Sequence, residues 1–217
     1  MIDLSYADYA WEQAAALLAI DSPTGYTKKA ALWVREAFEK LGYKASLTNK
    51  GGVLVCLGGT GEGLLLEAHT DTLGAMVCQV KDNGRLKLTP LGGMSPFNAE
   101  AENVRVYTRD AQVVEGTAQL CNASIHVNPN YKTTLRSFDN IEVILDEDVR
   151  SGEDVRKLGI EVGDMVCFDP RTRRTDRGYL KSRFLDDKLS VGILLGFAKY
   201  LADNKISLKR RTYVHVT

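Results

Sequence analysis

Leu64-Leu65-Leu66-Glu67-Ala68-His69-Thr70-Asp71 is an apolar run that closes on a histidine and an aspartate two residues apart. It predicts a β-strand, and because strand side chains alternate, His69 and Asp71 point the same way. A carboxylate beside an imidazole fixes its tautomer and raises its basicity toward a metal ion. The same pair also suits an ordinary polar strand end, so the metal reading needs support from elsewhere. That support lies at Phe184-Leu185-Asp186-Asp187-Lys188, where two adjacent carboxylates open a long apolar segment. Oxygen ligands at such a junction can bridge two divalent ions, whereas helix capping accounts well for one aspartate and less well for two.

Working outward, Ser5 to Ile20 has helical periodicity, with Ser5 as N-cap and Asp8 three residues on, and it stops at the loop Asp21-Ser22-Pro23-Thr24-Gly25. A second helix follows, capped by Thr27, with Ala30, Val34, Ala37, Phe38 and Leu41 on one face and Gly42 as its left-handed terminator. Strands are expected at Tyr43 to Thr48, Val53 to Leu57 and Leu64 to His69, separated by glycine-rich turns. The third is apolar on both faces, as a buried central strand would be. Beyond Asp71 come short alternating strands with tight turns (Ala75 to Val80, Leu86 to Thr89, Val104 to Thr108, Val113 to Ala118), the texture of a small β-barrel or sandwich. A short helix at Glu153 to Leu158 and a strand at Met165 to Phe168 complete that part. From Asp186 a segment apolar almost all round predicts a helix buried on most sides. Three parts follow: residues 1–72 open an α/β domain, 73–177 are an insertion, and 178–217 resume the α/β domain. The two flanks of the insertion carry His69-x-Asp71 and Asp186-Asp187.

The 28 basic and 28 acidic residues cancel, which argues against nucleic acid or an anionic membrane as the main partner and favours a small substrate. The N-terminal residues have no basic and apolar leader pattern, and a cytoplasmic protein fits best. Cys56, Cys78, Cys121 and Cys167 are scattered without a C-x-x-C pair, so they read as small buried hydrophobes. Neither a nucleophile elbow, a phosphate-binding loop nor a dinucleotide fingerprint is present; Gly58-Gly59-Thr60-Gly61-Glu62-Gly63 lacks the lysine and the helix a phosphate loop needs.

Ser22-Pro23-Thr24-Gly25-Tyr26, Ala68-His69-Thr70-Asp71-Thr72-Leu73-Gly74, Leu91-Gly92-Gly93, Leu158-Gly159-Ile160-Glu161-Val162-Gly163-Asp164 and Leu185-Asp186-Asp187-Lys188, in that order, resemble the co-catalytic metallo-aminopeptidases that form tetrahedral oligomers. Members carry glutamyl or deblocking aminopeptidase labels, and sometimes endoglucanase. The resemblance implies a phosphorylase/hydrolase-like α/β metallopeptidase domain with a mixed sheet and an inserted β-barrel that serves oligomerisation. It further implies two divalent ions, zinc or cobalt, peptide substrates, and dimers assembling to a dodecamer. By the same likeness His69 ligates one metal, Asp71 orients it as the catalytic carboxylate, and Asp186 bridges both ions. An endoglucanase chemistry would instead need paired carboxylates flanking a sugar.

Departures from the family pattern stand at Lys188, where arginine is frequent, at Ser190, where glycine is frequent, and at Glu67, which shares the face of His69 and either touches the site or is a buried acid with a partner. These leave room for a related amidohydrolase or carboxypeptidase, or for a non-catalytic assembly relative. In the family a pair of glutamates, general base and ligand, follows the strand that matches Lys209 to Thr217, so the remaining ligands are expected beyond Thr217 and the 217 residues are expected to be an inactive fragment. His215 reads as a packed or edge residue, His126 as a surface-loop residue, and the cluster Arg171, Arg173, Arg174 and Arg177 as a solvated hairpin. Met94, Pro96 and Phe97 are expected to be exposed for assembly contacts.

Overall fold

The computed structural model describes residues 4–217, which divide into two compact units: 4–72 with 170–217, and 73–169. In the first unit, α1 (Ser5–Leu18), α2 (Lys28–Lys40), β1 (Ala45–Leu47), β2 (Val53–Gly58) and β3 (Gly63–Ala68) precede the insertion. The second unit holds β4 (Gly74–Val80), β5 (Leu86–Leu91), β6 (Glu102–Tyr107), β7 (Val113–Leu120), β8 (Ile141–Leu145), α3 (Gly152–Lys157) and β9 (Met165–Phe168). The chain then returns through the hairpin β10 (Arg173–Arg174) and β11 (Leu180–Lys181) to α4 (Leu185–Asp203) and β12 (Arg211–Val216).

Residues 170–177, expected to close the insertion, group instead with the α/β unit. Arg174 explains why: its guanidinium bonds Asp8 at 2.8 Å and lies over the Trp11 ring of α1. The β-rich unit itself is a closed barrel in the order β4-β5-β8-β7-β6-β9. Its buried Glu142 is held by Lys81 at 2.7 Å and by Arg85, which satisfy both carboxylate oxygens. Burial alone would push the Glu142 carboxyl up, but those two hydrogen-bonded cations outweigh it and hold the group below the usual range.

In the α/β unit the sheet order is β1-β2-β12-β3, with β12 antiparallel to β2 and parallel to β3. Leu17, Val34, Phe38, Val53, Val55, Val191, Leu195, Val214 and Val216 form the core between sheet and helices. Among the described residues β3, expected to be a central strand, pairs with β12 alone, and Leu65 is half exposed. Apolarity on both faces signals a demand for cover but does not name the neighbour, and here β12 pairs with one edge of β3 only. Ser5 lies inside α1 rather than capping it, and Thr27 occupies the N-cap of α2 without making a side-chain bond. Gly42 is left-handed as expected, at φ 88°. The cysteines are all free, but only Cys167 is buried; Cys56 and Cys78 are exposed because they alternate outward on β2 and β4. Met94 is buried in its own unit, so of the three residues expected to project, Phe97 is the fully exposed one.

Helix α4 buries Val191, Gly192, Leu195, Gly196, Ala198 and Leu201, yet Ile193 is 55% exposed, so it is covered on fewer sides than its composition suggests. Its glycines set the approach of α1. A Cβ on Gly192 would stand 2.6 Å from the Ala10 carbonyl oxygen and 2.7 Å from the Ala14 Cβ. Gly192→Ala is expected to destabilise the unit by about 2 kcal/mol, although alanine favours an isolated helix, because overpacking forces α1 outward. A fall in the urea midpoint at unchanged slope checks this.

Candidate metal centre

His69 stands just beyond the C-terminal end of β3, where the sheet hands over to a tightly held loop. The Thr217 amide donates to the Ala68 carbonyl at 3.0 Å, and the Thr70 amide donates to the Thr217 carbonyl at 2.7 Å, so the residue after β12 fixes both sides of the histidine. The loop after α1 grips the other side: Ser22 Oγ donates to the Thr70 carbonyl at 2.7 Å, the Thr72 amide to Ser22 at 2.8 Å, and Pro23 bridges Thr72 in parallel. These ties anchor a segment that has left regular secondary structure.

The side chains then line up. Thr24 Oγ1 donates to Asp71 Oδ2 at 2.6 Å, Asp71 Oδ1 lies 3.0 Å from His69 Nδ1, and His69 Nε2 lies 3.2 Å from Asp186 Oδ1. The Asp71 carbonyl also approaches Nδ1, at 3.3 Å. With two acceptors around it, Nδ1 carries the proton, which leaves the Nε2 lone pair facing a carboxylate oxygen. Two such donors face each other comfortably only with a proton or a cation shared between them. Ligand atoms about 2.1 Å from one zinc-sized ion at a tetrahedral angle lie roughly 3.4 Å apart, so nitrogen and oxygen fit a shared ion. Both sides are open to solvent, His69 at 39% and Asp186 at 94% of the side chain. Among the described residues no group of three or more histidine, cysteine, aspartate or glutamate side chains is arranged to hold an ion, so the donor set here is His69 and Asp186.

Asp186 and Asp187 have non-helical dihedrals, so regular helix begins at Lys188; the peptide bond between Asp186 and Asp187 is cis. Lys188 is buried, and its ammonium donates to the carbonyls of Leu17 at 3.0 Å and Ile20 at 2.6 Å, at the end of α1. The departure from arginine thus falls on a cation that complements a helix C-terminus. Glu67 is neither buried nor bonded to His69; it is 63% exposed and faces His215, its register partner, at 3.2 Å. His126 is exposed on a loop. Thr24 and Lys188 are the positions whose roles sequence reasoning missed. The loop motif Ser22-Pro23-Thr24-Gly25 flagged the first without saying what its hydroxyl holds.

An α/β unit interrupted by a closed β-barrel, with a carboxylate-oriented histidine at a strand end meeting an aspartate at the start of the returning helix, defines a class of hydrolase-like scaffold. Residues 51–217 match the model of the M42 glutamyl aminopeptidase family, and the chain belongs to that family. It is 37% identical over 199 residues to the putative aminopeptidase YhfE of Bacillus subtilis, which covers 91% of this chain and 58% of that protein. Among solved structures, an aminopeptidase from the archaeon Desulfurococcus kamchatkensis superposes with a TM-score of 0.84 at 23% identity, over 98% of this chain and 56% of that one. The TET1 peptidase of Pyrococcus horikoshii, described as assembling into a tetrahedron or a large octahedral shell, gives 0.80 at 20% identity, over 96% and 60%. These likenesses share the fold, and the chain spans little more than half the length of such relatives. No helix among the described residues is long and apolar enough to cross a membrane.

Proposed function

We propose that these residues build one side of the dinuclear metal site of an aminopeptidase that removes N-terminal residues from peptides. The observation that carries the reading is the bracketing of His69, with Asp71 at Nδ1 and Asp186 at Nε2. Family membership supports the peptidase class. When bound, two divalent ions, zinc or cobalt, polarise a scissile carbonyl and lower the pKa of a water.

The chain's own residues do the rest of what can be assigned. Thr24 holds Asp71, Asp71 keeps the proton on Nδ1, and His69 presents Nε2 as a ligand. Asp186, placed before the first regular turn of α4, offers two oxygens and would hold both ions. We assign the general base and the further ligands to the part of a longer polypeptide that corresponds to the uncovered length of the relatives, and we propose a homo-oligomer, dimers building a dodecamer, by analogy with the TET1 peptidase.

Metal content and cleavage of leucine- and glutamate-anilides are measured for residues 1–217 and for the full-length gene product. The expected result is two ions per chain and cleavage for the longer protein, with weak partial occupancy and no cleavage for 1–217. Cleavage by 1–217 alone would place the base within these residues and overturn the assignment.

A further inference from the structure

The hairpin that leads into the metal site carries like charges directly across from one another. In the β10–β11 register Arg173 faces Lys181 and Arg174 faces Leu180. Cross-strand neighbours lie on one face of a ribbon, and like charges in that position repel. Arg173 and Lys181 have no ion-pair partner among the described residues. One step nearer the neck of the ribbon, Thr172 and Ser182 hydrogen-bond at 2.8 Å, and the Arg183 amide donates to the Pro170 carbonyl at 2.8 Å, so the two strands cannot splay to relieve the repulsion.

The face is concave. Arg171, Arg173, Lys181, Ser182 and Arg183 line a cavity of about 460 Å³ within the α/β unit. Four of the five are cations, in a chain whose formal charge is zero. Arg174, by contrast, points away and is engaged by Asp8 and Trp11. The ribbon thus separates Arg174, engaged by α1, from the facing pair Arg173 and Lys181 in the hollow; Arg183 beside them lies over the Phe184 ring. Guanidinium forks match oxyanions in a bidentate way, and a hollow of this size takes a ligand larger than a single small ion.

We propose that this hollow is a binding site for a multiply charged oxyanion, the charge carried by phosphoryl or carboxylate groups. The ligand supplies the negative charge that the facing pair lacks. A solvated turn, the plainer reading of an arginine cluster, leaves the facing cations without a counter-charge and gives the cavity no role.

Isothermal titration of residues 1–217 with pyrophosphate and, separately, with triglutamate distinguishes the two sources of charge. Saturable one-to-one binding of at least one probe at about 0.15 M salt is expected, weakening as salt rises. The double variant Arg173→Gln with Lys181→Gln should lose at least tenfold in affinity, while Arg174→Gln should bind as the parent does. Thermal melting of the double variant shows whether it is folded; should it melt early, Arg173→Gln alone is used, with a loss of about threefold expected. No saturable binding of either probe, or equal weakening by Arg174→Gln, would show a general surface charge and end the proposal.

Discussion

Asp186→Ala in the full-length protein is expected to lower kcat/KM for an aminoacyl anilide by about 10³-fold or more, and His69→Ala by a similar factor. A correctly held divalent ion supplies several kcal/mol of transition-state stabilisation, and each tenfold in rate is worth about 1.4 kcal/mol. Both substitutions remove a donor atom from a pair only 3.2 Å apart. Neither should unfold the chain, because Asp186 is 94% exposed and His69 is also open to solvent. The graded partner experiment is more telling than either deletion. Asp71→Asn keeps the shape but removes the charge that orients His69, and loss of such an outer partner typically costs about 10–100-fold in metal affinity. Thr24→Val, one bond further out, should cost less still. Competition with a chelator gives the affinities without reference to turnover. A Thr24 variant that loses more metal than the Asp71 variant would break the proposed order of action.

The parts of this fold that were legible in the sequence are those set by periodicity and by glycine. The helical faces of α1, α2 and α4 and the change to short alternating strands after Asp71 follow from which residues must be hidden from water. The barrel's closure and the neighbour of β3 do not, because strand order is decided by pairings between distant segments such as β12 with β3. The same divide runs through the site. His69, Asp71 and Asp186 stand out because their spacing on a strand and at a helix start is itself a chemical statement. Thr24 sits 47 residues from the carboxylate it holds, and a threonine in a loop carries no mark of that partner. Glu67 shows the opposite failure. Its place on the face of His69 was readable, but its actual partner, His215, belongs to a strand that enters the sheet from the far end of the chain.

Lys188→Met is expected to cost about 3 kcal/mol of stability. Lys188 is 1% exposed, and its ammonium closes the end of α1 through the Leu17 and Ile20 carbonyls. A hydrogen bond from a charged donor contributes about 1.5–3 kcal/mol, and a buried carbonyl left unpaired costs about 1–3 kcal/mol. Methionine removes these hydrogen bonds and leaves the Ile20 carbonyl without its charged donor, while the Leu17 carbonyl keeps the Ile20 amide at 3.1 Å. Against this stands the cost of burying the ammonium, which the methionine avoids, and it brings the balance down to the lower end of the sum. For a chain of this size each kcal/mol moves the melting temperature by about 2–4 °C, so a drop of roughly 6–12 °C should appear in a circular dichroism melt. Lys188→Arg keeps the charge and several donors for the Leu17 and Ile20 carbonyls, and its melt should stay within a few degrees of the parent. The two variants together separate charge from packing. An arginine variant less stable than the methionine one would mean that shape outweighs charge at this position, and a methionine variant as stable as the parent would mean that the end of α1 is held by its other hydrogen bonds.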